Sequence, residues 1–363
     1  MTERRPAQQD VDRSGLSAAE GGTTSGRRPM TEALVVDTHT HTSTFLPRYA
    51  AAAYHSVLRG RPRDVGLDEL PAAGVRAVVA KAVGDPVVTR WYLRRSPWDA
   101  VQRQLTAIRE EAAAAGAVLV RTVSEVRAAA DGGRLAVLLG LEGADAVGTD
   151  LGLLAELARG GVRVIVPVHL GDNLIGSTCL PWQRYVGPLP VRRRTSGLTS
   201  FGVEFVKAMN DLGVVVDGSH ADEETLLGMI EHSSAPLICS HAGARAVSSF
   251  ERYLSDDAVR AVASSGGLVG LWPYFMGGKG TPTLDALVDH ARHVADLVGP
   301  GHLCLGTDMN GVPGLAEGYR GEEDVPLIAK HLLAGGFGDA EVDGIMGENF
   351  LAVLEVVEGA AAT

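Results

Sequence analysis

The segment from Val214 to His241 contains two short apolar runs, and each run ends in Ser-His. Both runs are too short and too rich in β-branched residues for helices, while TLLGMIEH between them repeats its apolar residues at helical spacing. The segment therefore predicts a strand–helix–strand unit. Because the two strands of such a unit run parallel, His220 and His241 would leave the same edge of the sheet. Two imidazoles there are natural ligands for a transition metal, and a pair of capping histidines is the alternative.

The same alternation continues through most of the chain. From Leu34 onwards we predict eight strands that alternate with helices, which is the pattern of a (β/α)8 TIM barrel. A barrel with insertions fits a chain of 363 residues, so we expect one barrel domain over residues 30–363. An irregular insert at about 171–197 contains Arg192 to Arg194. A solvated loop and a lid over the barrel mouth are the two interpretations of this insert.

Residues 1–29 are rich in Gly, Ser, Thr, Arg and Gln and contain no apolar run, which predicts a disordered leader. Val11 and Leu16 are its only large aliphatic residues. We therefore expect a chain that begins at Met30 to keep its melting temperature and turnover. No stretch of the chain approaches the roughly 20 apolar residues that span a bilayer.

The net charge and the cysteine content indicate which partners and which cellular compartment to expect. The formal net charge of −11 argues against a nucleic acid or an anionic membrane as partner. The three cysteines, Cys179, Cys239 and Cys304, lack metal-site spacing and are odd in number. This pattern indicates a reducing compartment without a disulfide framework, so we expect a cytoplasmic protein.

Several metal-binding or acid–base side chains fall where a predicted strand gives way to its loop. His39 and His41 alternate on an extended segment and can reach one ion. The remaining members of this set are Glu142, His169, His220, His241 and Asp308. Because the carboxyl ends of barrel strands carry the chemistry of this architecture, the set favours a metal-dependent hydrolase. The other histidines are expected at surface or capping positions: His55, His232, His290, His293, His302 and His331.

Several characteristic sequence blocks follow one another between residues 34 and 358. They include LEGAD at 141–145, VHLGDN at 168–173, SHAGARA at 240–246, GTDMNGVP at 306–313 and the closing GENFLAVLEVVE. In these blocks the chain resembles the membrane dipeptidase (renal dipeptidase) family of zinc metallopeptidases, within the amidohydrolase superfamily. A series of blocks in this order is far more specific than any single motif.

The resemblance implies a role for each candidate residue. It assigns His39 and His41 to one Zn²⁺, His220 and His241 to a second, and Glu142 to both. It also implies that Asp308 is the acid–base group and that His169 binds the substrate and polarises the scissile carbonyl. Arg252 would hold the free carboxylate of the substrate, and Tyr274 would line the substrate pocket. The implied reaction is hydrolysis of a dipeptide by a hydroxide that two zinc ions activate.

Two positions depart from the family pattern. The family usually has His-x-Asp in the first strand, where this chain has His39 and His41, and a second aspartate where this chain has Asn310. The first change replaces an anionic oxygen ligand by a neutral nitrogen. The alternatives are therefore a related amidohydrolase that acts on another amide or lactone in a biosynthetic pathway, and a non-catalytic metal-binding protein. Family members are often dimers, so a homodimer is expected by analogy.

Overall fold

The computed structural model of the protein describes residues 34–43, 64–92, 95–186 and 196–361. The predicted leader at 1–29, His55 and the run from Arg192 to Arg194 lie outside these residues. The strands are β1 (Val35–Thr40), β2 (Val75–Val83), β3 (Val118–Val120), β4 (Ala136–Glu142), β5 (Val162–Val166), β6 (Val215–Val216), β7 (Ile238–Ala242), β8 (Leu268–Leu271), β9 (Phe275–Met276), β10 (Lys279–Gly280) and β11 (Leu303–Leu305).

Helices lie between most of these strands and after the last one. The α-helices span Pro97–Ala114, Val123–Asp131, Leu151–Arg159, Gln183–Val186, Ser200–Asp211, Glu223–His232, Asp256–Ser264, Leu284–Val298, Val325–Ala334, Asp339–Asp343 and Asn349–Ala361. Among the described residues, no helix combines the length and the apolar character needed to cross a bilayer.

The larger strands form two parallel sheets. One sheet has the order β1-β2-β4-β5-β6, with β3 paired to β4, and the other has the order β11-β8-β7. Isolated parallel bridges join Asp217 to Ile238 and Thr40 to Met309, so the two sheets meet at both of their edges. The parallel α/β class that the alternation predicts is confirmed.

Both faces of the main sheet are buried, which explains why its strands are mostly apolar on both faces. One face packs with the last helix in a cluster that includes Val36, Val79, Leu138, Val164, Phe350 and Leu351. The opposite face packs against the surrounding helices through residues that include Val35, Val78, Val137, Ile165, Val206 and Leu226. The apolar interior leaves the strand ends as the place for polar side chains.

Three local features differ from the sequence expectations. Strand β3 and the helix Val123–Asp131 were not predicted, although Thr122 and Glu125 form the capping box that begins this helix. The sequence predicts a closing helix over 339–357, but the structure has a kink there: Gly347 has a non-helical φ of 178° and ψ of −42°. A side chain on Gly347 would lie 2.0 Å from the carbonyl oxygen of Leu34, so this close contact requires glycine. His290, expected at the surface or at a cap, is buried.

Candidate active site

The predicted strand-end residues all lie at the carboxyl edge of the parallel strands. Glu142 is the last residue of β4, His39 lies in β1 and His241 in β7. The others follow the ends of strands: His41, His169, His220 and Asp308. None of the seven is more than 8% exposed. The structure therefore gathers seven titratable side chains into one buried cluster.

Glu142 lies at the centre of this cluster. Its Oε1 atom is 3.2 Å from Nε2 of both His39 and His220 and 3.7 Å from Nε2 of His241. Its Oε2 atom is 3.2 Å from Nε2 of His41 and 3.6 Å from Nε2 of His169. Yet Oε1 of Glu142 and Nε2 of His39 form no hydrogen bond with any described residue. Buried polar atoms without partners are rare, and metal-ligand atoms are one reason for them.

Three overlapping groups of ligand atoms lie within 4.8 Å of one another. They are His39, Glu142 and His241; His39, His41 and Asp308; and Glu142, His169 and His220. Imidazole nitrogens and carboxylate oxygens are the donors that zinc takes in catalytic sites. The donor atoms of the cluster therefore fit a metal centre. So does Oε1 of Glu142, a buried oxygen that has no hydrogen-bond partner among the described residues. Of the predicted catalytic groups, His169 lies as close to Glu142 as His241 does, and Oδ1 of Asp308 lies 3.4 Å from Nε2 of His41 and 3.9 Å from Nε2 of His39.

Hydrogen bonds on the far side of the rings point each Nε2 towards Glu142. Oγ of Ser240 lies 3.0 Å from Nδ1 of His39 and 3.0 Å from Nδ1 of His241. Nδ1 of His41 donates to the carbonyl oxygen of Lys81 at 3.0 Å. Such outer partners set the orientation of imidazole ligands in metal sites.

At three of the candidate ligands the pKa shift suits a ligand role; at His41, by contrast, Asp308 and Glu142 outweigh the effect of burial and raise the pKa to about 9. Burial and the charge of Arg252 hold the pKa of His220 well below its usual value, and burial and His39 do the same for His241. Burial raises the pKa of Glu142, but His169, His39 and His220 together outweigh it and hold that pKa well below its usual range. Neutral imidazoles and an ionised carboxylate are the forms that bind metals.

Backbone strain is concentrated in the same place. Among the described residues, three that are not glycine have a left-handed φ: His220 at 68°, Asp308 at 57° and Asn310 at 65°. A side chain on Gly311 would lie 2.0 Å from Oδ1 of Asp308 and 2.7 Å from Cδ2 of His41. Strained residues cluster at functional sites, where the surrounding structure holds them. The turn after β11 is therefore shaped to bring Asp308 and His41 together.

One wall of the site combines a buried cation with aromatic rings. Cζ of Arg252 lies 5.0 Å from the ring centroid of Trp272, and Trp272 stacks on Tyr274 at 4.4 Å. Nη2 of Arg252 donates to the carbonyl oxygen of His241 at 3.5 Å. The structure thus brings Arg252 and Tyr274, both predicted as substrate-binding residues, next to the cluster. A guanidinium in this position suits a carboxylate ligand.

A family model for membrane dipeptidase (peptidase family M19) matches residues 25–363. The chain belongs to the membrane dipeptidase family. Dipeptidase verJ of Clonostachys rogersoniana is 32% identical to it over 247 residues, which are 66% of this chain and 60% of verJ. The chain thus spans about three fifths of the length of this relative.

Solved structures share the fold of this membrane dipeptidase family member. The probable dipeptidase PvdM from Pseudomonas aeruginosa has a TM-score of 0.77 at 18% identity, over 92% of this chain and 97% of PvdM. A metallo peptidase from Rhodobacter sphaeroides, liganded with a phosphinate mimic of the dipeptide L-Ala-D-Ala, has a TM-score of 0.76 at 22% identity. That match covers 90% of this chain and 99% of the other.

Three charged residues of the site were missed by the sequence reasoning. Oδ2 of Asp85, just after β2, accepts a hydrogen bond from Nδ1 of His169 at 2.7 Å. Nζ of Lys81 lies 2.5 Å from Oδ2 of Asp217, and both residues are buried. Asp85 stands in Val-Gly-Asp-Pro, which resembles an ordinary turn. Lys81 and Asp217, by contrast, are charges inside apolar runs, and that signal could have been used.

Asn310 links two backbone segments beside the cluster. Its Nδ2 donates to the carbonyl oxygens of His41 at 2.8 Å and Val65 at 3.0 Å, while its Oδ1 accepts the N–H of Val65 at 2.9 Å. An ionised aspartate has no hydrogen to donate. The amide therefore ties the segment at Val65 to the backbone of a candidate metal ligand.

Proposed function

We propose that the protein is a metal-dependent dipeptidase that hydrolyses the peptide bond of dipeptides with a free carboxylate. The observation that carries this proposal is the Glu142 carboxylate, which faces five imidazoles next to the wall that holds Arg252. Membership of the membrane dipeptidase family supports it.

We also propose that the two parallel sheets together form a (β/α)8 barrel. The bridges from Asp217 to Ile238 and from Thr40 to Met309 support this arrangement, because they place β6 beside β7 and β1 beside the end of β11. The cluster would then occupy the carboxyl-end face, where barrel enzymes carry their active sites.

The proposed metal ligands are His39, His41, Glu142, His220 and His241, for two divalent ions. Zinc fits best because the donors are imidazoles and a carboxylate. When bound, such ions act as Lewis acids and lower the pKa of a water molecule into the neutral range. The position of Glu142 between the two histidine pairs makes it the residue that both ions would share.

The chain's own side chains would handle the substrate and its protons. Asp308, with Oδ1 3.4 Å from Nε2 of His41, would accept a proton from the attacking water and pass it to the leaving amine. Arg252 would bind the free carboxylate and so fix the register of the peptide bond. Tyr274 would pack against the dipeptide. His169 presents Nε2 to the same centre, as a donor to the substrate carbonyl or as a further ligand.

This proposal is tested by incubating purified, zinc-loaded protein with a panel of L,L- and L,D-dipeptides and their C-terminal amides and measuring hydrolysis. We expect turnover of at least one free dipeptide and a loss of about 100- to 10,000-fold in kcat for Asp308→Asn, with the metal content unchanged. No turnover of any dipeptide, or full activity in Asp308→Asn, would contradict it.

A second candidate function is hydrolysis of another amide or a lactone by the same cluster. His41 stands where an aspartate is usual, and this change alters the charge around the ions. Turnover of such compounds that survives Arg252→Ala would favour this candidate over the dipeptidase.

A further inference from the structure

We propose that Glu322 is a positioning residue for Asp308: its side chain remains a neutral carboxylic acid and donates a hydrogen bond to the hydroxyl of Thr307. The inference rests on the proposed function, because Asp308 is the proposed acid–base group. Glu322 lies after β11, in the short 3₁₀ turn Glu322–Asp324.

Thr307 connects the segment of Asp308 to the first strand. Its hydroxyl oxygen, Oγ1, lies 2.5 Å from Oδ2 of Asp37, and its backbone N–H donates to Oδ1 of the same carboxyl group at 3.0 Å. The N–H of His39 also donates to that Oδ1, at 3.0 Å. Asp308 in turn donates its N–H to the carbonyl oxygen of His39 at 2.8 Å. Thr307 and Asp37 therefore tie the proposed acid–base group to a proposed metal ligand.

The hydroxyl of Thr307 also closes the turn that contains Asp308. Its Oγ1 accepts the N–H of Met309 at 3.1 Å, so this hydrogen bond spans Asp308. Asp308 has a left-handed φ of 57°, which persists only where the surrounding structure holds it. The orientation of the Thr307 hydroxyl therefore affects where the Asp308 carboxylate lies.

Glu322 is the third partner of the same hydroxyl. Its Oε1 lies 2.6 Å from Oγ1 of Thr307, and the residue is only 1% exposed. The side chains that interact with this carboxyl group are those of Asp37, Thr307 and Tyr319, and none of these is a cation. A carboxylate buried without a cation is costly, and such a group takes up a proton instead.

The number of available hydrogens requires a proton on one of the two carboxyl groups. A hydroxyl has one hydrogen to donate and two lone pairs with which to accept. Oγ1 of Thr307 already accepts the N–H of Met309, and it also contacts a carboxyl oxygen of Asp37 and one of Glu322. The hydroxyl can donate to one of these oxygens, so the other must donate to the hydroxyl. Its donor and both of its lone pairs are then satisfied.

The surroundings assign this proton to Glu322. Oδ1 of Asp37 accepts two backbone N–H groups, which stabilise the ionised form. Burial raises the pKa of Glu322 well above its usual value, and the charge of Asp37 raises it further. Burial also raises the pKa of Asp37, but the hydrogen bonds from Thr307 and His39 oppose this effect. The hydrogen bonds therefore run from Glu322 through Thr307 to Asp37.

Two substitutions separate the hydrogen bond from the bulk of the side chain. The amide of Glu322→Gln can donate to Oγ1 of Thr307, whereas Glu322→Leu fills similar space without a donor. We expect kcat for a dipeptide to fall about 10- to 100-fold in Glu322→Leu, with KM nearly unchanged, because a small displacement of a catalytic group is costly. Glu322→Gln should keep most of the wild-type kcat. Equal losses in the two variants, or no loss in Glu322→Leu, would overturn the inference.

Infrared spectroscopy of zinc-loaded protein with isotope-labelled glutamate detects the proton directly, because the C=O stretch of a carboxylic acid is separate from the bands of a carboxylate. We expect a carboxylic acid band at neutral pH that Glu322→Gln removes. Glu348→Gln is the matched control, since Glu348 pairs with Arg127 at the surface and should leave this band unchanged. A wild-type spectrum without the band, or a band that persists in Glu322→Gln, would overturn the inference.

Hydrogen exchange tests the positioning role without any substrate. The N–H of Met309 donates to Oγ1 of Thr307, so it should exchange about tenfold faster in Glu322→Leu and at the wild-type rate in Glu322→Gln. The N–H of Gly218, which donates to the carbonyl oxygen of Ile238, should exchange equally in all three proteins. An unchanged rate at Met309 in Glu322→Leu would overturn the positioning role. The proposed function fails separately: it fails if the wild type cleaves no dipeptide, whatever the infrared and exchange results.

Discussion

Nζ of Lys81 lies 2.5 Å from Oδ2 of Asp217, and both side chains are fully buried. The same carboxylate is 3.9 Å from Nδ1 of His39, and its Oδ1 accepts the N–H groups of Ser219 and Ser240. Burial raises the pKa of Asp217, but Lys81 and His39 together outweigh it and hold that pKa well below its usual range. This ion pair connects β2 to the segments that carry the proposed metal ligands His220 and His241.

Lys81→Met should lower the free energy of unfolding by about 3–5 kcal/mol, because it leaves the carboxylate of Asp217 buried without a partner. Urea unfolding monitored by circular dichroism measures the change. Lys279→Met is the matched control, since Lys279 pairs with Glu251 at 2.8 Å on the surface and should change the stability by less than about 1 kcal/mol. Equal effects of the two substitutions would show that the buried pair has no special role.

Asn310→Asp should cost about 2–4 kcal/mol of stability and weaken zinc binding, because the carboxylate cannot donate to the carbonyl oxygens of His41 and Val65. Asn349→Asp loses two similar donated bonds, to Pro300 and Leu303, away from the cluster. It should therefore lose stability but keep its zinc. Zinc retention after dialysis distinguishes the two, and equal retention would contradict the link between Asn310 and His41.

Arg252→Ala should lower kcat/KM for free dipeptides by about 10- to 100-fold, because charged hydrogen bonds to the substrate carboxylate are lost. The kcat/KM for the corresponding C-terminal amides, which lack that charge, should change little. Arg245→Ala is the control, since Arg245 pairs with Glu223 at the surface. A similar loss on free dipeptides and amides would mean that Arg252 supports the fold rather than the substrate.

His290 should make the fold sensitive to acid. Burial lowers its pKa from 6.5 to about 4, while its Nδ1 accepts the N–H of Ala244. Because the unfolded chain takes up this proton at a higher pH than the folded one, stability falls as pH drops from about 6.5 to about 4, by about 3 kcal/mol in the limit. His290→Asn keeps an acceptor and does not titrate. Its unfolding free energy should decline less over this range; an equal decline would contradict the assignment.

Much of this site is predictable because strand ends are recognisable in the sequence. The apolar runs before His39, Glu142, His220 and His241 mark buried parallel strands, and parallel strands deliver their ends to one edge. The predicted residues accordingly lie together. The parallel α/β class follows from the same alternation.

The contacts between distant segments could not be predicted in this way. The partners Asp85 and His169 are 84 positions apart, and Lys81 and Asp217 are 136 apart. Which of them meet depends on the register between strands and on the close approach that Gly143 permits. A local sequence pattern contains no information on the register or on the close approach. The role of Asn310 likewise appears only when the backbone of Val65 lies beside it.

The most direct test is to add Zn²⁺ stepwise to metal-free protein and to measure dipeptide hydrolysis after each addition. We predict no turnover without metal and a rise that levels off at two equivalents per chain, because the proposed ligands would hold two ions and Glu142 would serve both. Dipeptide hydrolysis by the metal-free protein at the full rate, or no hydrolysis at any level of zinc, would contradict the account.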